Sequence, residues 1–140
     1  MPIEFQKHIT REDVRANPLK LYIFGDNFQR VGFGGQAYAM RGEPNTLGIV
    51  TKVSPNMNKA SFLNDTQHYY DCLLDWAAMF AKLHRELERD TTIVIPVDGI
   101  GTGLAELETR APRCWRLLQF LFDQLYEAAE DKVPASGDKP

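Results

Sequence analysis

The stretch LYIFGDNFQRVGFGGQAYAM, residues 21–40, runs from bulky apolar side chains into Gly-Asp-Asn, and then through a glycine-rich segment into Gln, Ala and Met. Leu21–Gly25 follows Asn17-Pro18 and ends at a turn former, the pattern of a buried strand that opens into a loop. After the glycines, Gly35–Met40 offers good helix formers, so a short helix is expected to start inside the segment. A strand that feeds a loop and then a helix is the first step of an α/β layer.

The rest of the chain continues that alternation. Thr46–Lys52 (TLGIVTK) and Thr91–Val97 (TTIVIPV) are short and β-branched, bounded by turn formers, and read as two more strands. Thr66–Arg89 reads as a long helix with Tyr70, Leu73, Leu74, Ala77, Phe80, Ala81 and Leu87 on the buried face. Asn64, Asp65 and Thr66 are its capping candidates. Ala111–Ala129 repeats the pattern with Trp115, Leu118, Leu121, Phe122 and Leu125, Thr109 as the expected cap and Pro112 tolerated in the first turn. These elements predict a three-layer α/β/α fold around a mixed, partly parallel sheet. The segment before the first strand is short, so the sheet either lacks an edge strand or takes one from the amino-terminal IEFQK. With 140 residues and no repeat, one domain over residues 1–130 is expected, followed by a flexible tail, DKVPASGDKP, over 131–140.

Composition narrows the function classes. The chain is 44% hydrophobic, 25% charged and 11% aromatic, ordinary for a globular protein. A net charge of −3 gives no field that would gather nucleic acid, and Arg11, Arg15, Lys20 and Arg30 support that class only thinly. Any anionic ligand must therefore meet a local positive site. No apolar run approaches the roughly 20 residues of a membrane span, and the start lacks a signal-peptide pattern, so a cytoplasmic location and no membrane partner are expected. Cys72 and Cys114 fall inside helices without neighbours at metal-ligand spacing; they read as reduced, packed thiols, and no metal site is expected.

In α/β sheets, ligands sit beyond the carboxyl ends of the strands. Two glycine-rich segments stand there: GDNFQRVGFGG after the first strand and VDGIGTGLAELETR after the third. In Asp98–Ala105 glycine takes every other position, which lets successive N–H groups converge on an anion, typically phosphate; a plain strand-to-helix turn is the alternative. Thr102 adds a hydroxyl donor, and Glu106 and Glu108 are expected to face solvent. The P-loop pattern is absent, since no glycine precedes a lysine. The dinucleotide fingerprint fits only as Gly32-x-Gly34-x-x-Ala37, too far beyond Gly25 for the usual turn. His8, His68 and His84 lie away from the glycine loops. Asp26, Asn27, Gln36, Arg41 and Asp98 suit ribose hydroxyls and a diphosphate better. Asn27 and Asp26 also suit a turn, as does Asn45. Arg41 and Lys52 are both candidates to balance phosphate charge, and either could instead be a solvated side chain, the commoner fate for lysine; Arg41 is preferred.

IFGDNFQRVGFGGQA followed by IPVDGIGTGLA resembles the macro-domain superfamily, the ADP-ribose-binding fold, and more narrowly a small family of uncharacterised macro-like proteins of bacteria and their phages. The likeness covers roughly Leu21 to Ala111. It implies that Asn27 contacts the distal ribose and that Gly34 and Gly35 form a first phosphate loop. Gly99, Gly101, Thr102 and Gly103 would form the second, with Gly25, Ile100 and Leu104 among the ligand contacts. Asp26 and Gln36 would lie beside the reactive ribose. The usual Asn-Ala-Ala-Asn signature is replaced by Gly-Asp-Asn, and the first loop reads Gly-Phe-Gly-Gly. Glu4 and Asp13 are the candidates for recognising adenine. The resemblance implies that the chain binds ADP-ribose or a related NAD-derived nucleotide and hydrolyses a bond at the distal ribose. Asp26 would activate water or orient a hydroxyl, Asn27 would hold the sugar, and no cofactor is needed. The alternative is a module that senses or sequesters the nucleotide without turnover.

Overall fold

A computed structural model of the chain describes residues 2–100 and 105–132. Gly101, Thr102, Gly103 and Leu104, and all but the first two residues of the expected tail, lie outside the described residues.

Four strands form one sheet: β1 (Ile3–Gln6), β2 (Lys20–Asn27), β3 (Thr46–Lys52) and β4 (Thr92–Pro96), in the order β1-β4-β2-β3. IEFQ is indeed drawn in as an edge strand, with Ile3 opposite Ile93 and Gln6 opposite Pro96. All three strand pairs are parallel, which goes further than the partly parallel sheet expected. The reason is connectivity. A helix stands between each strand and the next: α1 (Arg11–Ala16), α2 (Ala37–Met40) and α3 (Asp65–Glu88). Each connection therefore returns the chain to the same end of the sheet. The one antiparallel pairing among the described residues is a single bridge, Lys52 to Phe62.

Strand alternation sorts the core into two layers. Tyr22, Phe24 and Val94 pack with Val14 of α1 and with Ala37, Ala39 and Met40 of α2. Ile23, Ile49, Ile93 and Ile95 pack on the opposite face against α3 and α5 (Pro112–Asp131). Three layers result, as expected. The sequence reading had not assigned α1, although Thr10 and Asp13 form a reciprocal capping box at its start.

Helix α3 turns a different face inward from the one expected. Cys72, Trp76, Phe80, Leu83 and Leu87 are buried, whereas Tyr70 and Leu74 are 78% and 73% exposed. Two apolar stripes run side by side on this helix, and periodicity does not choose between them. Trp76 does: it is fully buried, and its indole N–H donates to the Val50 carbonyl at 2.9 Å. Only this rotation gives its large surface a core and its single donor a partner. Against it, α5 buries Cys114, Leu118, Phe122, Leu125 and Ala129, with Phe80 and Phe122 edge to face at 5.0 Å. Cys72 and Cys114 are both free and buried. A hydrogen bond between the thiols, and then burial, push the Cys72 thiol well above its ordinary range.

Asn64 caps α3, accepting from Gln67 N at 2.8 Å. Thr109 does not cap α5: it lies inside a short helix, α4 (Leu107–Arg110), and the capping position falls to Ala111, which has no acceptor side chain. Asp65 supplies the cap from α3 instead, its carboxylate accepting Arg113 N and Cys114 N, each at 2.9 Å. Burial opposes ionisation of Asp65, but the two N–H donors outweigh it and hold the carboxyl below its usual value of 3.8. We expect Asp65→Ala to lower unfolding free energy by about 1–2 kcal/mol in urea denaturation at neutral pH. A depressed carboxylate stabilises above its unfolded pKa and loses that contribution as pH falls through the folded value. The gap between wild type and variant should therefore narrow below about pH 4.

Candidate functional site

A cavity of 320 Å³ opens where β2, β3 and β4 end. Gly25, Asp26 and Asn27 line it from β2, and Lys52 from the last position of β3. Gly34, Gly35, Gln36 and Arg41 contribute from the segment around α2, and Asp98, Gly99 and Ile100 from the chain after β4. The structure thus brings both glycine-rich segments to one cavity, as far as the second is described. Strand order explains the meeting. β2 and β4 are neighbours, but the chain leaves β2 toward the α2 face and β4 toward the α5 face. Adjacent parallel strands whose connections part in this way leave a crevice between their ends.

One wall is an ion-pair network. The Asp26 side chain is buried. Its Oδ1 accepts Asn27 N at 2.8 Å and Arg41 Nη2 at 2.5 Å, and its Oδ2 accepts Arg30 Nη1 at 3.3 Å and Arg41 Nη1 at 3.4 Å. Arg30 also donates to the Gly48 carbonyl at 2.9 Å and to Asp75 of α3 at 3.0 and 3.3 Å. It does so from a left-handed backbone, φ 57°, a conformation that a bulky residue keeps only when its surroundings demand it. Arg41 donates to the carbonyls of Gly32 (2.6 Å) and Val31 (3.2 Å) and lies over the Phe24 ring. Its guanidinium is therefore engaged by the protein itself. Gly48 sits against Asp26: a Cβ there would lie 2.4 Å from Oδ2 and 2.8 Å from the Asp26 Cβ.

Beside this network two buried acceptors are unmet among the described residues. Asn27 Nδ2 donates to the Val31 carbonyl at 2.7 Å, and Asn27 Oδ1 is a buried acceptor with no partner among the described residues. Gln36 Oε1 is another. Gly34 and Gly35 accept from the first turn of α2 through their carbonyls, while their own N–H groups donate to no described acceptor. Lys52 is only 8% exposed, against its reading as a solvated side chain. Burial, and then the charge of Arg110, push its ammonium below the ordinary lysine pKa, with Glu106 opposing. Its place at the last step of β3, in register with Asn27, was the signal that marks it as a wall residue.

Other candidates fall elsewhere. Glu4 pairs with Lys20 and Asp13 serves the α1 cap, so neither reaches the cavity. Arg11 and Arg15 both pair with Glu43, and Arg30 with Asp75, which leaves no basic stripe from the four cations considered for nucleic acid. Glu106 and Glu108 are exposed. Among the described residues no helix is long and apolar enough to cross a membrane, and no His, Cys, Asp and Glu groups cluster as a metal site.

A family model described as "Family of unknown function (DUF7831)" matches residues 4–121, and the chain belongs to that family. No curated protein and no solved structure matches it.

Two glycines test whether the network or the cavity sets local tolerance. Gly48→Ala forces its new methyl group into Asp26 and should cost about 1–3 kcal/mol in thermal or urea unfolding. Gly34→Ala meets nothing within 4 Å and should leave stability within about 0.5 kcal/mol of wild type.

Proposed function

We propose that this member of the family binds ADP-ribose or a related NAD-derived nucleotide in the cavity at the ends of β2, β3 and β4, as a module that senses or sequesters it. The reading is carried by the buried amide oxygens of two cavity-lining residues, Asn27 Oδ1 and Gln36 Oε1, which have no partner among the described residues. An unmet buried acceptor costs about 1–3 kcal/mol, and an amide oxygen can be satisfied only by a donor. Ribose hydroxyls are donors of that kind. The free N–H groups of Gly34 and Gly35 suit the diphosphate. Ligand cavities run from about 300 to 1,000 Å³. At 320 Å³ this one suits the ribose and phosphate half of the ligand better than the whole nucleotide. The resemblance of IFGDNFQRVGFGGQA and IPVDGIGTGLA to macro domains supports the same ligand class.

Hydrolysis of a bond at the distal ribose is the second reading. A general base needs a lone pair within reach of the attacking water. Both oxygens of Asp26 already accept N–H donors from Arg41, Arg30 and Asn27, and this favours the binding module. Asp26 then acts by holding the wall together, while Asn27 and Gln36 make the contacts.

Calorimetric titration with ADP-ribose, NAD, AMP and ribose 5-phosphate, each followed by product analysis, tests both readings. ADP-ribose should bind unchanged, and Asn27→Ala should weaken it about tenfold through loss of one hydrogen-bonded hydroxyl. Turnover by the unmodified protein would move the conclusion to the hydrolase. Failure of all four compounds to bind would overturn the nucleotide reading.

A further inference from the structure

Within that nucleotide reading, on which it rests, we infer that Lys52 is the seat of the ligand's phosphoryl group, so that the cavity selects phosphorylated sugars over free ones. Arg41, the cation that sequence reasoning preferred, has its charge paired with Asp26 and four of its five donors committed to the protein.

The first support is a count of donors. An ammonium has three. Lys52 Nζ gives one to the Asn56 carbonyl at 2.7 Å and one, weakly, to the Met57 sulfur at 3.5 Å. No carboxylate among the described residues forms an ion pair with it, so a donor is left over and its charge is met only through space, by Glu106. A buried cation without a counter-charge is costly, and proteins normally pair it. The neighbouring wall follows that rule, with Arg41 and Arg30 on Asp26 and Arg30 again on Asp75. Lys52 is the exception on this side of the cavity.

The second support is placement. Lys52 Nζ lies over one side of the Phe62 contact, 4.6 Å from the ring centroid, and Arg110 Cζ lies 3.7 Å from the same ring. Two cations sharing one ring repel each other, and a multiply charged anion relieves that repulsion. Arg110 forms an ion pair with Glu106 at 3.0 Å, whereas Lys52 feels that carboxylate only through space. Lys52 is also the register partner of Asn27 across the β2–β3 pair. Adjacent strands lie about 4.8 Å apart. A charge and an unmet acceptor thus belong to residues on neighbouring strands at the same end of the sheet, and both residues line the cavity.

Lys52→Met, Lys52→Arg and the wild type should be titrated with ribose 5-phosphate, ribose and ADP-ribose. Wild type should favour ribose 5-phosphate over ribose. Lys52→Met should lose about 10- to 100-fold in affinity for the two phosphorylated compounds while ribose is unaffected, and Lys52→Arg should recover part of the loss. A folded Lys52→Met that keeps the preference for ribose 5-phosphate overturns the inference and leaves the nucleotide reading standing. Failure of wild type to bind either ADP-ribose or ribose 5-phosphate overturns the inference, and failure with NAD and AMP as well overturns that reading with it. Should Lys52→Met fail to fold, the Lys52 Nζ resonance of nitrogen-15-labelled wild type decides: it should move on adding ribose 5-phosphate but not ribose, and an unmoved resonance overturns the inference.

Discussion

A buried carboxylate held between two guanidiniums organises the working end of this molecule. Asp26 alone ties the end of β2 to Arg41 after α2, and through Arg30 to Asp75 on α3 and to the Gly48 carbonyl of β3. It therefore joins both helical layers to the sheet. Whether such a network adds net stability depends on geometry, but removal of one member leaves an uncompensated charge in a dry site. The same network fixes the glycine-rich segment, since Arg41 also gathers the carbonyls of Val31 and Gly32. Gly48 is part of the arrangement because its missing side chain leaves room for the carboxylate.

The network also divides the cavity's polar groups into two sets. Arg41, Arg30 and Asp26 satisfy one another and form a rigid wall. Asn27 Oδ1, Gln36 Oε1 and the Lys52 ammonium stand outside that set, with capacity left for a guest. A site whose buried carboxylate is already saturated, yet whose acceptors and cation are not, is better suited to holding a ligand than to activating water. The backbone supports this division. The parallel sheet places the ends of β2, β3 and β4 together, and the opposite departures of the chain from β2 and β4 open the crevice between them.

Much of this was legible in the sequence, because the signals are local. Short apolar runs ending in turn formers marked β2, β3 and β4 to within a residue or two, and helical periodicity located α3 and α5. Glycine-rich segments after β2 and β4 pointed to the carboxyl edge, and Gly25, Asp26, Asn27, Gly34, Gly35, Gln36, Asp98, Gly99 and Ile100 do line one cavity. The Thr10-x-x-Asp13 box was equally legible, but no long apolar stripe accompanied it to draw attention to α1.

What the amino-acid order determined by itself was which segments extend, which coil and where the backbone is bare, since those preferences are settled within a few residues of chain. Tertiary structure decided the rest. It chose the inward face of α3, because Trp76 needed the Val50 carbonyl. It gave α5 a cap from Asp65, drew IEFQ into the sheet as an edge, committed Arg41 to Asp26, and buried Lys52 without an ion pair among the described residues. Each of these depends on a partner remote in the chain, and a charge or a donor has no fixed role until folding determines what stands opposite it.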